Sequence, residues 1–433
     1  MFLSFSVANY RSIKDRQTLS LLPVSRVQHL PDNVISNGNY EALRSIALYG
    51  RNASGKSNTL MAMRAFCAFV SESNIFQLDE YIPYYEPYRL AVGNERQPVE
   101  FEIEFVAHSI RYTYEVHFMN NEVVQETLKM FPKLQPQLLF ARDTTGCEWG
   151  NSVRGNKKSV QEQLLPNQLL LSKGANSNIE LLQAPYRYIV SHILADLYPR
   201  IPSGIGDTQV IAEAAKSIAT DENSALRNFL NQALIIADTD IYGIVAEKTP
   251  LEAIDVFFGK ERNEAREPYN YRLKTIHRIR NEDGTESEVL FDFFDESAGT
   301  QAFVVAACKI YSVFLSGATL IIDELSLHLH PELSHFLLRL FNDPTVNLRG
   351  AQLIFTTHDV TLMDEKVIRR DQIWFVEKED NSSILYSLAD IKGVRKEIDI
   401  QQWYMNGRFG AVPKIGKFDT TLIKNAYEET AEK

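Results

Sequence analysis

Residues 45–59 read SIALYGRNASGKSNT, with Gly50 separated by four residues from Gly55-Lys56-Ser57. The apolar run Ile46-Ala47-Leu48-Tyr49 before it has the length of a buried strand, and Leu60, Met61, Met63, Ala65 and Phe66 after it keep helical spacing. Strand, glycine-rich turn and helix start form the setting in which a backbone loop cradles phosphate. The N–H groups of Gly50, Arg51, Asn52, Ala53, Ser54 and Gly55 can converge on phosphate oxygens, because glycine allows the dihedrals that such a nest demands. The helix start at Lys56, Ser57 and Asn58 adds its positive dipole end. Lys56 would reach the outer phosphates of ATP, and the Ser57 hydroxyl would ligate Mg²⁺.

Four further stretches could complete such a site. Thr319 to Ile322 is an apolar strand ending in Asp323-Glu324, where Asp323 would help hold Mg²⁺ and Glu324 would polarise a water as general base. Leu353-Ile354-Phe355-Thr356-Thr357 leads to His358-Asp359, a histidine placed to contact a γ-phosphate. Glu296 to Gln301, ESAGTQ, is a small-residue turn opening a helical run from Ala302 to Val313, a phosphate device of the same physical kind as the first. Leu329-His330-Pro331 follows the acidic pair. Taken singly, an acidic pair at a strand end is often a helix cap and a strand-end histidine is usually structural, so the order and spacing of the set carry the reading.

The elements needed to position these residues are legible around them. Phe2–Val7 and Gln17–Leu21 read as paired strands joined by a polar turn around Ser12 to Asp15; Asn9 to Ser12 reads by default as a solvated turn, with an adenine-contacting segment upstream of the P-loop as the alternative. Val99, Phe101, Ile103 and Phe105 alternate with glutamates, and Tyr112 to Phe118 repeat the alternation before an Asn120-Asn121 turn, which predicts an antiparallel meander with one buried face. From 157 to 240 the apolar period becomes helical, with stripes at Val210 to Ile218 and Leu226 to Leu234, the second capped near Asp221 or Asn223. Tyr271–Arg280 and Val289–Phe294 flank the hairpin turn Asp283-Gly284. The expected domains are 1–72 and 266–433 as the ATPase core, 73–156 as a β lobe and 157–265 as a helical insertion.

The chain has 433 residues, 45% of them hydrophobic, and a net charge of −11, which argues against a surface dedicated to nucleic acid while leaving room for a local basic groove. Cys67, Cys147 and Cys308 are odd in number and far apart, which suits a reducing compartment and rules out a four-cysteine metal site. The N-terminus is too polar for a signal peptide and no apolar run approaches membrane-spanning length, so a cytoplasmic protein without membrane contact is expected.

The P-loop, ESAGTQ, LIIDE, LHP and TTHD together resemble the ABC-type ATPase head, the class that includes RecF and the Overcoming-Lysogenization-Defect ATPases. Within it, NYRSIKD near the N-terminus, the FEIEF meander and the late Tyr404 to Pro413 are similar to ATP-binding proteins of bacterial phage-defence loci, of the RloA-like and abortive-infection kind and akin to the ATPase subunits of PARIS and Septu systems. The resemblance implies an α/β fold, a mixed sheet around the P-loop helix with an antiparallel β lobe and a helical insertion. It implies that Lys56 and Ser57 are the Walker A lysine and magnesium ligand, Asp323 and Glu324 the Walker B pair, and His358 the switch histidine. Ser297, Ala298, Gly299, Thr300 and Gln301 would be a signature capping ATP bound to a second subunit, so an ATP-sandwiched homodimer is expected, with a neighbour-encoded effector, a nuclease, as partner. The chain departs from the pattern after Glu324, where Leu325-Ser326-Leu327-His328 replaces the usual acidic residue and serine. Gln77 and Gln97 are both candidates for the glutamine joining nucleotide to the outer lobe.

Two other readings remain open from sequence. Arg272, Lys274, His277, Arg278 and Arg280 on one strand, with Lys392 to Lys396, could contact DNA, as a RecF-type repair or recombination ATPase would require; a solvated edge is the commoner meaning of such a cluster. A nucleotide-binding scaffold without turnover is the third. Phe375-Val376-Glu377-Lys378 resembles the start of a nuclease Toprim domain, but no paired aspartates follow, so a fused nuclease is not expected.

Overall fold

Ser45–Tyr49 is buried along its whole length, as an apolar run without alternation requires when both faces of a parallel sheet are covered. In the computed structural model it lies inside a six-stranded sheet with the order Ile193–Asp196, Thr319–Ile322, Gln352–Thr356, Ser45–Tyr49, Ile373–Glu379, Ser382–Ser387. The first five strands run parallel and the last pairs antiparallel, making the sheet mixed. The structure describes residues 1–133, 135–196, 205–220, 225–237, 240–250, 269–394, 398–413, 419, 421 and 423.

Alternate residues of the central strand serve two cores. Ile46 and Leu48 pack with the helix Lys56–Glu72 and a seven-stranded antiparallel sheet, while Ala47 and Tyr49 pack with the helices on the opposite face. In the first core the rings of Phe66 and Phe69 on that helix meet Phe5, Phe101 and Phe118 with centroids 5.7, 6.1 and 4.9 Å apart. Each such buried ring contributes about 1.5–3 kcal/mol, which fixes the helix and hence the turn that opens it. The antiparallel sheet contains the expected meander, Val99–Ala107, Ile110–Met119 and Glu122–Phe131, continued by Gln137–Asp143 and Cys147–Trp149. Phe2–Ala8 pairs with both Gln17–Ser20 and Val99–Ala107, so the N-terminal strands belong to this sheet. The buried Gln352 side chain ties it to the central one, accepting from Phe2 N–H at 2.6 Å and donating to the Phe2 and Leu43 carbonyls at 3.0 Å each.

Three expectations need correction. The stretch read as helical does form helices, including Glu180–Ser191, Ile205–Thr220 and Ala225–Ile236, but Ile193–Asp196 forms the edge strand of the central sheet. Gly243–Pro250 is likewise a strand, pairing with Tyr269–Arg280 in a three-stranded sheet. A four-residue strand is too short to interrupt a helical apolar period visibly. The turn at 9–15 is solvated only at Lys14 and Asp15: Tyr10 and Ile13 are buried and pair with each other, and the Ser12 carbonyl accepts from Ser383 N–H of the central sheet. Finally, Ala298–Ser316 is a 19-residue helix, long and apolar enough by length and composition to cross a membrane. In this fold its apolarity serves the second core, where Phe303, Val304, Ala306, Ala307 and Ile310 are buried. The caps read at Asp221 or Asn223 lie outside the described residues, as do Arg395 and Lys396 of the second basic cluster.

Candidate nucleotide site

Parallel register brings three strand ends to one edge. Ile322 pairs with Phe355, and Thr356 pairs with Leu48, so Asp323-Glu324, Thr357-His358 and Tyr49-Gly50 all emerge together at the carboxyl side, where open α/β sheets hold ligands. The histidine strand lies between the P-loop strand and the acid-pair strand, which lets it touch both.

The P-loop turn is held tightly from behind. A Cβ on Gly50 would sit 2.4 Å from the Val376 carbonyl oxygen, and one on Gly55, at φ +111°, would sit 2.1 Å from Ser383 Oγ and 2.8 Å from Ser12 Oγ. Both glycines are therefore set by close approach as well as by backbone angle. Ser12 is the hub of that support. It takes a hydrogen bond from Asn58 Nδ2 at 2.8 Å and meets Ser383 Oγ at 2.8 Å, while Ser383 Oγ donates to the Ser54 carbonyl at 2.6 Å. The turn carrying Ser12 is fastened by a bidentate pair from Arg11 to Glu86 at 2.7 and 2.9 Å.

Lys56 is buried and donates to the Gly50 carbonyl at 2.8 Å, with His358 Nε2 at 3.2 Å. An ammonium has donors and no acceptor, so Nε2 is the unprotonated nitrogen of a neutral imidazole. Burial first, and the neighbouring Lys56 ammonium second, pull His358 below the ordinary histidine value, against the opposing pull of Glu324 and Asp323. Lys56 is likewise lowered by burial, with Asp323 and Glu324 favouring its charge. Asp323 and Glu324 are half-buried, Ser57 is exposed, and the Asp323 carboxylate takes a hydrogen bond from Thr356 Oγ1 at 2.5 Å. Among the described residues no three His, Cys, Asp or Glu side chains converge as a metal cluster. A hydroxyl and a carboxylate beside a phosphate cradle are what a Mg²⁺–nucleotide needs, since that ion takes few protein ligands and completes its shell with phosphate and water.

The remaining sequence-flagged residues fall elsewhere. Ser297 is the N-cap of Ala298–Ser316, accepting from Thr300 N–H at 3.1 Å, and Gln301 Nε2 donates to the Glu296 and Phe294 carbonyls at 2.8 and 3.0 Å. Ser297 and Ala298 are exposed, and Gly299 lies so close that its Cβ would stand 3.0 Å from the His328 carbonyl, just past the acid pair. His330 caps the helix Pro331–Asn342, accepting from Glu332 N–H at 3.3 Å, so LHP is a helix start. Tyr404 meets Tyr49 edge to face with centroids 5.9 Å apart, and Tyr386 OH donates to the Phe409 carbonyl at 2.7 Å, placing the late motif behind the P-loop strand. Gln77 is exposed and donates to the Ile75 carbonyl at 3.1 Å, whereas the Gln97 carbonyl accepts from Asn9 and Tyr85. Of the five basic residues flagged on Tyr269–Arg280, Lys274 pairs with Asp292 at 3.1 Å, His277 meets Glu296 at 2.7 Å, and Arg278 pairs with Glu286 at 3.7 Å. Sequence reasoning assigned no role to the Ser12, Ser383, Thr356 or Thr357 hydroxyls, and no periodicity marks a hydroxyl whose partner lies on another element, 371 residues away for Ser12 and Ser383 and 32 for Thr356 and Glu324.

No curated protein matches the chain. SMC head structures share its outline at low identity. A head bound to the C-winged helix domain of ScpA is 12% identical over 89% of this chain and 97% of that one, at TM-score 0.41. The SMC head domain from Thermotoga maritima is 13% identical over 89% and 98%, at TM-score 0.40. The family model described as "AAA domain, putative AbiEii toxin, Type IV TA system" matches residues 45–364, a span that runs from the P-loop strand past the acid pair and His358. Carrying that match over most of its length, the chain belongs to this AAA-domain family of P-loop NTPases.

Proposed function

We propose that this protein binds Mg²⁺–ATP between two copies of itself and hydrolyses it as a conformational switch. The observation that carries the reading is the meeting of Lys56, Asp323, Glu324 and His358 at one sheet edge, with Lys56 and His358 in direct contact at 3.2 Å. Ser57 and Asp323 would hold Mg²⁺, which when bound neutralises phosphate charge. Glu324 serves as the base that takes a proton from water, and neutral His358 orients the outer phosphate with Lys56. Ser297 to Gln301 supply the cap for the nucleotide of the second copy. The switch governs a separate effector, a nuclease encoded alongside, in an abortive-infection-like anti-phage system; the matched family's description, which names an AbiEii toxin, supports that direction.

The same site would serve a RecF-like DNA-binding ATPase, and the basic strand Tyr269–Arg280 is the feature in its favour. One experiment separates the readings. The Glu324→Gln chain is purified with Mg²⁺–ATP and everything co-eluting is identified. A stoichiometric protein with nuclease motifs supports the switch. Nucleic acid alone, with salt-dependent DNA binding lost in Arg278→Ala/Arg280→Ala, overturns it in favour of repair. Equal and negligible hydrolysis in wild type and Glu324→Gln removes turnover from both.

A further inference from the structure

We infer that Thr356 is a positioning residue for hydrolysis, acting through Glu324; the inference rests on the ATPase reading above. Thr356 ends the strand Gln352–Thr356 and is fully buried, one strand away from the acid pair. Its hydroxyl touches both carboxylate-bearing residues. Oγ1 donates to Asp323 Oδ1 at 2.5 Å and accepts from Glu324 N–H at 2.7 Å, while the Thr356 carbonyl accepts from Leu325 N–H at 3.0 Å. A hydroxyl has one donor hydrogen and two lone pairs, so this pattern fixes its rotor and leaves a valine, of the same shape, unable to replace either bond.

The need for such a clamp is local. Glu324 sits at φ +54°, a left-handed backbone conformation that a non-glycine residue keeps only when its surroundings impose it. The Thr356 hydroxyl grips the N–H of that residue, so it selects the backbone turn that aims the Glu324 side chain. Thr357 makes the matching contacts on the other side: its Oγ1 lies 2.8 Å from Ser326 Oγ and accepts from Asp359 N–H at 2.9 Å. Two consecutive threonines thus join the turn after the acid pair to the turn holding His358. The proposed base and the phosphate-facing histidine are set by one strand end, so a base displaced by loss of the hydroxyl would still leave the P-loop able to bind nucleotide.

The test measures ATP hydrolysis by wild type, Thr356→Val, Thr356→Ser and Glu324→Gln, with nucleotide binding followed separately by fluorescence of a labelled ATP. Thr356→Val is expected to lower kcat about tenfold or more, with KM and nucleotide affinity within about threefold of wild type. Thr356→Ser, which keeps the hydroxyl, should retain kcat within about threefold. Combined with Glu324→Gln, the valine should slow hydrolysis no further, because it acts through that residue. Equal losses in valine and serine variants, kcat unchanged in the valine, or a further loss in the double variant would each overturn the inference while leaving the ATPase reading intact. Should valine prevent folding, Thr356→Ala replaces it in the same comparison, with serine again the rescue. Absence of wild-type turnover overturns both.

Discussion

Two small-residue turns open long helices in this molecule, and they are built in opposite ways. The turn from Gly50 to Ser57 is backed on several sides: Val376 crowds Gly50, Ser12 and Ser383 crowd Gly55, and His358 meets Lys56. The turn from Glu296 to Gln301 fastens mainly to itself, through Ser297 to Thr300 and through Gln301 to the Phe294 and Glu296 carbonyls, and it shows Ser297 and Ala298 to solvent. Its root is anchored outside by Thr275 and by His277, 2.7 Å from Glu296, and Gly299 lies against the His328 carbonyl. The first is a pocket finished within one chain. The second faces outward, where the proposed function has it cap a nucleotide held by another copy.

The most severe way to test the finished half is to remove its charges. Glu324→Gln should lower ATP hydrolysis about 10²- to 10⁴-fold, the contribution expected of a positioned general base, while nucleotide stays bound. Lys56→Ala should lose binding itself, because it removes the ammonium that the Gly50 and Arg51 carbonyls hold in the cradle. Radiolabelled hydrolysis and equilibrium binding check the pair; a Glu324→Gln enzyme as fast as wild type would show that the acid pair is only structural. Gly50→Ala belongs here as well, since a methyl 2.4 Å from the Val376 carbonyl must displace the P-loop strand from its neighbour. It should abolish nucleotide binding even though no functional group is changed.

The outward turn is tested by complementation. Ser297→Arg should leave nucleotide affinity of the isolated chain unchanged yet reduce hydrolysis by about tenfold or more. Mixed with Lys56→Ala, itself inactive, it should recover activity, because one site of the mixed dimer then has an intact cradle and an intact cap. Without recovery, the assignment of Ser297 to a partner's nucleotide fails.

That difference between the turns also explains what could be read before folding. Gly50, Gly55, Lys56, the acid pair and His358 were visible because each lies beside an apolar strand whose length and termini are local signals. The meander was visible because Val99 to Phe105 alternate strictly, and a single buried face imposes that alternation. What stayed hidden has no local period. Ser12 meets Ser383, and Phe2 meets Gln352, only after two sheets pack. The strand Ile193–Asp196 is too short to announce itself inside a helical stretch, and its partner strand begins at Thr319. Thr356 was printed beside the histidine, but its partners lie on another strand.

A milder probe is pH. His358 is held below the ordinary histidine value by burial and by Lys56, so on acidification the unfolded chain takes up that proton before the folded one does. This site's contribution to stability is therefore present above the ordinary value of about 6.5 and declines as pH falls from there toward the lower folded value. Hydrolysis that needs the neutral ring should persist through pH 6.5 and fall only below it, since about 6.5 is where an unperturbed histidine is half-charged. In His358→Gln the remaining activity should lose this acid limb. A limb unchanged in that variant would assign it to another group.

The smallest expected effect lies behind the cradle. Arg11 makes two hydrogen bonds to Glu86, but the side chains keep 30% and 41% of their surface exposed, so solvent screens the pair. Arg11→Ala should cost about 0.2–1 kcal/mol of stability by that route, near the resolution of a thermal melt on a chain this long. Ser12→Ala goes further, because it removes the oxygen that both Asn58 and Ser383 grip and so loosens the turn at its base. The two substitutions are adjacent in sequence yet should separate in one assay: nucleotide affinity falls in Ser12→Ala and stays within about twofold of wild type in Arg11→Ala, since a solvent-screened ion pair is worth little, whereas the Ser12 hydroxyl meets the fully buried Ser383, a hydrogen bond worth about 1 kcal/mol. Equal losses in both would mean that the N-terminal turn acts on the P-loop as a single body; a loss confined to Ser12→Ala would place the coupling in the hydroxyl cluster, with the ion pair serving only to close the turn.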